Sequence, residues 1–294
     1  MKILVIGENG QLGKSIKNVI GKKQLNDTFI FVVRDQLDLS NNHSIANYFK
    51  SHRFDVIVNC AAYTSVDKAE LEIEAADKIN HLAVKQIAEI ANHHKTKLIH
   101  ISTDYVFDGE SDNPYSESDK TNPINVYGKT KLAGEQAIFL AMPNNAIIIR
   151  TSWVYSEFGN NFVDTILRLG NEQEELNIVC DQLGSPTYAN DLAIAILQII
   201  NNEKFYSFNT RTQIFHYSNK GSCSWYAFAK EVVELASIDC ALKTITTENY
   251  KTIAMRPKNT LMNKDKISKT FGLEIYDWKK SLQDCLDKIA SNTI

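Results

Sequence analysis

Lys2-Ile-Leu-Val-Ile-Gly7-Glu-Asn-Gly10-Gln-Leu-Gly13 opens the chain with a short apolar run, Ile3 to Ile6, a glycine-rich turn, and then a helical pattern through Ile16, Val19 and Ile20. Buried strand, glycine turn and helix, in that order, is the context a dinucleotide fingerprint needs. Each glycine has its own task. Gly7 makes the tight turn, Gly10 lets the backbone approach a pyrophosphate, and Gly13 allows the helix to pack closely on the strand, while Gln11 and Leu12 start the helix whose N-terminus faces the phosphates. The spacing is GxxGxxG where the simplest fingerprint is GxGxxG, so a plain tight turn between strand and helix is the competing reading.

Working outward, Phe29 to Val33 reads as a second strand, and its end lacks the acidic residue that would accept the adenosine ribose hydroxyls. Arg34 stands there instead, with Asp35 one step beyond, and an arginine at this place can pair with a 2′-phosphate. Asp38, followed by Leu39, is placed to face the adenine, against the alternative of a solvated turn carboxylate. Ser40 or Asn41 can cap a helix from His43 to Lys50. Asp55 to Cys60 is a third strand running into Ala61-Ala62-Tyr63, small residues that leave room for a cofactor, although Ala-Ala is also common packing. A helix over 74–92 follows, in which Asn80 is expected to bond backbone and His93-His94 to close the C-terminal end. Lys97 to Ile101 is a fourth strand, ending in Ser102-Thr103-Asp104-Tyr105.

The helix predicted over Val126 to Leu140 carries Tyr127 and Lys131 four residues apart, on one face. An ammonium beside a phenol favours phenolate and pulls tyrosine down from its free value of about 10. Titration near neutrality would need a drop of about 3 pH units, roughly 4 kcal/mol. Taken alone, the pair also fits an ordinary surface helix. Ala146 to Arg150 is a fifth strand and leads into Trp153. Alternating strands and helices over 1–152 predict an α/β fold, a Rossmann-type doubly wound parallel sheet with right-handed crossovers. Such a sheet brings the strand ends, and with them the Gly7–Gly13 turn, Ala61 to Tyr63, Ser102-Thr103 and Tyr127/Lys131, to one edge.

Beyond residue 152 the reading gives a helix to Leu169, a strand over Leu176 to Cys180, a loop over 181–187, an apolar helix over Asp191 to Ile200 and a short strand over Phe205 to Asn209. Ser224 caps a helix from Trp225 to Ala236, Arg256-Pro257 lies in a loop, and Asp277 caps a final helix through Ile289. Residues 1–152 are therefore expected to form the NAD(P)-binding domain, its core also drawing elements from 176–209. Residues 153–294 are expected to form most of a smaller, partly interleaved substrate-binding domain. No linker rich in Pro, Gly or Ser separates the halves.

With 294 residues, a formal net charge of −3 and dispersed Lys and Arg, the chain shows no basic stripe, so nucleic acid is not an expected partner. Cys60, Cys180, Cys223, Cys240 and Cys285 are odd in number and without a CxxC pair, which fits free thiols in a reducing cytoplasm better than a disulfide framework or a zinc site. The N-terminal apolar run is too short for a signal peptide, and no 18-residue apolar run occurs. No membrane partner is expected.

The spaced motifs of residues 1–155 resemble those of the extended short-chain dehydrogenase/reductase superfamily. A closer resemblance spans nearly the whole chain. Gly10-Gln-Leu-Gly13, Val66-Asp-Lys-Ala-Glu70, Ser102-Thr-Asp-Tyr-Val-Phe107, Val126-Tyr-Gly-Lys-Thr-Lys-Leu-Ala-Gly-Glu135, Arg150-Thr-Ser-Trp-Val-Tyr155, Asn160-Asn-Phe162, Asp181-Gln-Leu-Gly-Ser-Pro-Thr187 and Arg256-Pro257 are similar to the dTDP-4-dehydrorhamnose reductase family. The resemblance implies NAD(P)H-dependent reduction of the 4-keto group of dTDP-4-dehydro-L-rhamnose to dTDP-L-rhamnose. It implies that Tyr127 protonates the forming alkoxide, that Lys131 lowers the phenol's pKa and holds the nicotinamide ribose, and that Thr103 bonds the carbonyl oxygen. Asp104 and Trp153 match substrate-contacting positions. Some members hold magnesium at a dimer interface through acidic residues, one of them just after the glycine motif; Lys14-Ser15-Ile16 offers none, so no such metal is expected. Arg34 points to use of both NADPH and NADH with a modest NADPH preference. A monomer or homodimer is expected. Two alternatives stay open, a sugar-nucleotide dehydratase or epimerase of the same superfamily and a non-catalytic nucleotide-binding regulatory subunit. Tyr105, where the dehydratases carry Glu, weighs against the first.

Overall fold

Strands and helices alternate through the first half of the chain as the hydrophobic pattern requires. The computed structural model describes residues 1–22, 27–207 and 211–292. In order come β1 (Lys2–Ile6), α1 (Gln11–Gly21), β2 (Thr28–Val32), α2 (Asn42–Ser51), β3 (Val56–Asn59), α3 (Val66–Ala69), α4 (Ile73–Asp77), a π-helical turn (Lys78–Leu82), α5 (Ala83–His93), β4 (Lys97–Thr103), α6 (Val126–Ala141) and β5 (Ala146–Thr151). The second half adds β6 (Val154–Tyr155), α7 (Phe162–Glu172), β7 (Glu175–Val179), β8 (Leu183–Gly184), β9 (Thr187–Tyr188), α8 (Ala189–Ile200), α9 (Glu203–Ser207), β10 (Gln213–His216), β11 (Cys223–Ser224), α10 (Trp225–Leu235), β12 (Ala241–Ile245), α11 (Asp265–Phe271) and α12 (Trp278–Asn292).

Six strands form one parallel sheet in the order β10-β5-β4-β3-β1-β2. The chain leaves β1 toward β2 and then crosses back to β3 on the other side of β1. That reversal opens a crevice at the carboxyl ends of β1 and β3, where α/β sheets bind their ligands. Alternate strand residues serve opposite faces. Ile3 and Val5 join a core with Ile16 and Val19 of α1 and Leu192, Ile196 and Ile199 of α8. Leu4 and Ile6 join another with Ile45 of α2, Ile87 of α5 and Ile138 of α6. A third core, with Val163, Ile166, Phe228, Val232 and Leu282, lies around α7, α10 and α12, beside the parallel pair β7–β12. The segment from α8 to β10 therefore returns to the sheet, while β7 stands outside it.

Two local expectations are corrected here. The short strand over 205–209 is instead the end of helix α9 as far as Ser207, while residues 208–209 lie outside the described residues. Asn202 accepts a hydrogen bond from the Lys204 N–H (3.0 Å) and Glu203 sits in the first turn, both helix-start features that a two-residue aromatic run, Phe205-Tyr206, cannot override. The sixth strand is β10, whose Gln213-Ile-Phe-His216 is too short and too polar at its ends to read as a buried strand. The long helix expected over 74–92 is also interrupted, because a π-helical turn surrounds Asn80. The Asn80 side chain accepts from the Tyr63 N–H (2.9 Å) and donates to the Tyr63 carbonyl (3.1 Å) and to Thr130 Oγ1 (3.2 Å), so it bonds backbone as expected and ties the helix to α6.

Gly134 of α6 meets that turn with no room to spare, since a Cβ there would collide with the Asn80 carbonyl oxygen. Backbone cannot yield as a flexible side chain can. Gly134→Ala is expected to destabilise the chain by about 1–3 kcal/mol, the usual cost of overpacking, and urea denaturation measures it. An unchanged midpoint would mean that the π turn relaxes freely.

Candidate active site

A cavity of about 670 Å³ lies over the carboxyl edge of the sheet, bounded by the glycine turn, the ends of β3 and β4, the start of α6 and the segment after β5. Gly7 has φ +94°, a left-handed conformation that favours glycine, and a Cβ there would lie 2.9 Å from the Ala61 nitrogen. Gly7, Gly10, Gln11 and Leu12 line the cavity together with Ala61 and Ala62. Gly13 does not reach it; it packs against the Gly7 carbonyl and the Glu8 backbone, where any Cβ would clash, which is the close-packing task expected of it.

Asn125 caps α6 by accepting from the Gly128 N–H (2.8 Å), which fixes the first turn and with it Tyr127. Tyr127, Lys131, Ser102, Thr103 and Asp104 all face the cavity. Thr103 Oγ1 donates to Asp104 Oδ1 (3.0 Å) and accepts from the Tyr105 N–H (3.2 Å). The Tyr105 ring meets Tyr127 edge to face at 5.8 Å. Burial outweighs the hydrogen bonds from Thr260 and Thr103 and pushes the Asp104 carboxyl up to about 6.

The expected effect of Lys131 on the phenol is not what the structure shows. Burial pushes Tyr127 up to about 12, offset in part by the Thr103 hydroxyl and aided by the Asp104 charge. Lys131 is 1% exposed, and its Nζ donates to the Ile101 carbonyl (2.6 Å) and lies 3.4 Å from His100 Nε2, so it is directed at the floor of the site. Burial lowers it to about 8, against the pull of Glu135 and Cys60. In this state the phenol keeps its proton. The four-residue spacing placed both groups on one face but could not reveal that a backbone carbonyl claims the ammonium.

An aromatic wall closes the side toward the C-terminal half. Trp153, at φ +48°, stacks on Trp225 with centroids 3.5 Å apart and planes 9° from parallel. Gly184 makes space for it, since a Cβ there would lie 2.5 Å from the indole. Trp225 Nε1 donates to Gln182 Oε1 (3.2 Å), and Gln182 Nε2 donates to Thr247 Oγ1 (3.0 Å). The sequence reading placed Trp153 here but missed Trp225 and Gln182. They come from segments far apart in sequence, and no spacing links them.

Arg34, Asp38, Leu39 and Tyr63 are not among the residues that line the cavity. Arg34 is at the end of β2, its side chain 74% exposed, with Nε 3.4 Å from Asp38 Oδ1 and Nη2 3.4 Å from Ser40 Oγ. Asp38, not Asp35, is thus the carboxylate that faces it. Asp38 Oδ1 also accepts from the Ser40 N–H (2.9 Å) and hydroxyl (2.7 Å), and Leu39 is buried in the core below. The Tyr63 hydroxyl donates to Glu72 (2.8 Å), and its backbone is bonded by the Asn80 side chain. Among the described residues no group of three or more His, Cys, Asp or Glu side chains is arranged to hold a metal ion.

A family model described as "RmlD substrate binding domain" matches residues 1–291. A dTDP-4-dehydrorhamnose reductase of Aggregatibacter actinomycetemcomitans is 38% identical over 292 residues, covering 96% of this chain and 97% of the relative. Among solved structures, a dTDP-4-dehydrorhamnose reductase from Clostridium acetobutylicum superposes with a TM-score of 0.91 at 38% identity, covering 99% of this chain and 100% of that one. A dTDP-4-dehydrorhamnose reductase from Bacillus anthracis, solved in complex with NADP, gives 0.89 at 35% identity, covering 98% and 99%.

Proposed function

This chain belongs to the RmlD substrate-binding-domain family, and we propose that it performs the reaction for which its reductase relatives are named, the NAD(P)H-dependent reduction of dTDP-4-dehydro-L-rhamnose at its 4-keto group to give dTDP-L-rhamnose. The observation that carries this reading is the continuity of one cavity from the Gly7–Leu12 turn to Thr103, Tyr127 and Lys131. A phosphate-accepting turn and a protonated phenol share the same space.

The residues present fit a nicotinamide dinucleotide. The turn offers N–H groups at the start of α1 with no side chain at Gly7 or Gly10 to block a pyrophosphate, and Ala61 and Ala62 leave the floor open. When bound, the cofactor supplies the hydride. Tyr127 supplies the proton: its high pKa keeps it protonated, and an alkoxide forming on the sugar is a stronger base than a phenolate, so transfer is downhill. In the free site the Thr103 hydroxyl gives its one proton to Asp104; with substrate bound it turns that proton to the carbonyl oxygen and directs it toward the phenol, and the Trp153 indole forms the wall for the sugar. Ser102, bound to Glu135 (2.5 Å), stiffens the floor. Residues 1–152, joined by α8 and β10, form the cofactor-binding part, and most of 153–294 covers the substrate.

Among the described residues no helix is long and apolar enough to cross a membrane. All five thiols are free, and we place the protein in the cytoplasm as a monomer or homodimer without a nucleic-acid partner. Incubation with dTDP-4-dehydro-L-rhamnose and either cofactor, with identification of the product sugar, tests the reading. Formation of dTDP-L-rhamnose with loss of NAD(P)H absorbance supports it; an unchanged substrate overturns it.

Cofactor choice gives a quantitative test. A charge-assisted contact from Arg34 to a 2′-phosphate would contribute roughly 1.5–3 kcal/mol, but Asp38 already faces the guanidinium and the site is exposed, so the lower end applies. We expect both cofactors to work with NADPH preferred about 10-fold, and Arg34→Ala to erase the preference. The ratio of kcat/KM values for the two cofactors in both proteins decides it. An unchanged ratio in Arg34→Ala removes the arginine from cofactor discrimination.

A further inference from the structure

Gln11 is the first residue of α1, and its main chain and side chain point to different tasks. The N–H groups in the first turn of a helix have no partner within it, and no side chain caps this end, so the Gln11 N–H is among those open to the phosphates of a dinucleotide. The side chain runs the other way, to the segment after β5. Nε2 donates to the Val154 carbonyl (3.3 Å), and Oε1 accepts from the Ser156 hydroxyl (2.9 Å). A carbonyl can only accept, which fixes the orientation of the amide.

That segment builds the sugar side of the site. Trp153, Val154 and Phe158 line the same cavity as Gly10 and Leu12. Toward the C-terminal half the segment has several ties. The Ser152 hydroxyl donates to the Ser185 carbonyl (2.7 Å), the Trp153 carbonyl accepts from the Thr187 N–H (3.1 Å), β6 pairs with β9, and the Tyr188 hydroxyl donates to Glu157 (3.0 Å). Toward the cofactor half there is one. Among the described residues, Gln11 is the one member of residues 1–151 that hydrogen-bonds residues 153–160. We propose that Gln11 is a positioning residue that couples the two ligands of the site, so that a dinucleotide held at its main-chain N–H strengthens the binding of the nucleotide sugar against the Trp153 wall, and the reverse.

A phosphate at the start of α1 fixes the Gln11 backbone and, with it, the reach of the side-chain amide. The amide then holds Val154 and Ser156, and so the backbone of Trp153, before the sugar arrives. Trp153 lies at φ +48°, which is uncommon for a residue with a side chain and persists only where the surroundings hold it. Ser156 has one hydroxyl proton and a second acceptor in reach, the Phe158 carbonyl (3.0 Å), so without Gln11 the hydroxyl turns back on its own loop. Ordering completed by the first ligand is not demanded again of the second, which is positive cooperativity. That the ligands are NADPH and a dTDP-sugar rests on the proposed function; the link from α1 to residues 153–160 does not.

Two measurements on the full chain test this, in wild type and in Gln11→Met, which keeps the length and the main-chain N–H but removes both side-chain bonds. The first is titration calorimetry with dTDP-L-rhamnose, alone and at saturating NADPH, a pair between which no hydride can pass. In wild type NADPH should tighten the sugar nucleotide about 10-fold, the scale of two hydrogen bonds of ordinary net strength, and in Gln11→Met the ratio should fall to about 2-fold or less. Linkage requires dTDP-L-rhamnose to tighten NADPH by the same factor. Ser156→Ala, which removes one of the two bonds from the other side, should give an intermediate ratio. A wild-type ratio of one, or a ratio untouched by both substitutions, overturns the proposal. A Gln11 that only steadied the fold would lower the urea midpoint and leave the ratio alone. The second measurement, amide hydrogen exchange over 153–157 with and without saturating NADPH, needs no sugar. Exchange should slow on cofactor binding in wild type and not in Gln11→Met; equal slowing in both means that the cofactor reaches the segment without Gln11, and the idea is wrong. If the exchange result holds but dTDP-L-rhamnose binds neither with nor without NADPH, the proposed substrate fails and the Gln11 link stands.

Discussion

Tyr127→Phe is expected to lower turnover by at least ~10²-fold while leaving the fold and cofactor binding intact, since removal of one positioned general acid costs typically that much or more. The phenol faces the cavity, burial pushes its pKa up to about 12, and Thr103 is its partner. The sign of that shift matters. A phenol with a raised pKa is fully protonated at neutral pH and loses the proton only as the pH climbs toward 12, so reduction should show no loss of Tyr127 function on the acid side. Single-turnover rates for wild type and Tyr127→Phe at saturating cofactor give the comparison. Near-normal turnover would take Tyr127 out of the mechanism, and the proton would have to come from elsewhere. Asp104 is the obvious substitute, because its carboxyl is pushed up to about 6 and touches Thr103.

The second large effect concerns stability. Arg150 on β5 and Glu135 on α6 form a two-pronged pair with both side chains 2% exposed, and the Ser102 hydroxyl adds a third bond to the carboxylate. Arg150→Met removes the cation and leaves the carboxylate buried and uncompensated, which costs about 3–5 kcal/mol. Replacing both partners, Arg150→Met with Glu135→Leu, removes the stranded charge and should recover most of that loss. Urea denaturation of the two proteins separates the cases. If the single variant matches wild type, water or a neighbour takes over the arginine's role; if the double variant is as unstable as the single, the defect is one of packing. Since Ser102 lines the cavity, the single variant should also loosen the site before it unfolds the chain.

The parallel sheet was legible because its strands are buried on both faces and its glycines punctuate the turns. Ile3–Ile6 with Gly7 and Val56–Asn59 with Ala61 needed no tertiary information. The convergence of Tyr127, Lys131 and Thr103 followed from the same topology. What sequence could not supply was direction within the site. Nothing in the four-residue spacing says that Lys131 would be held by the Ile101 carbonyl, nor that Trp225, 72 positions after Trp153 (225 − 153), would stack upon it. Both are set by packing between elements distant in the chain. Arg34 falls between these cases: its position at the end of β2 was readable, its pairing with Asp38 was not, because a turn of unpredictable shape brings the two together. His100 carried a signal, a polar residue inside an apolar strand, but its partners Asn59 and Lys131 come from two other elements.

The reductase reading is tested most directly by following the label in NADPH carrying deuterium at both positions of nicotinamide C4, with dTDP-4-dehydro-L-rhamnose as substrate. The predicted result is stoichiometric cofactor oxidation and dTDP-L-rhamnose with a single deuterium on sugar C4. Cofactor left unoxidised, or a product sugar without deuterium at C4, would contradict it.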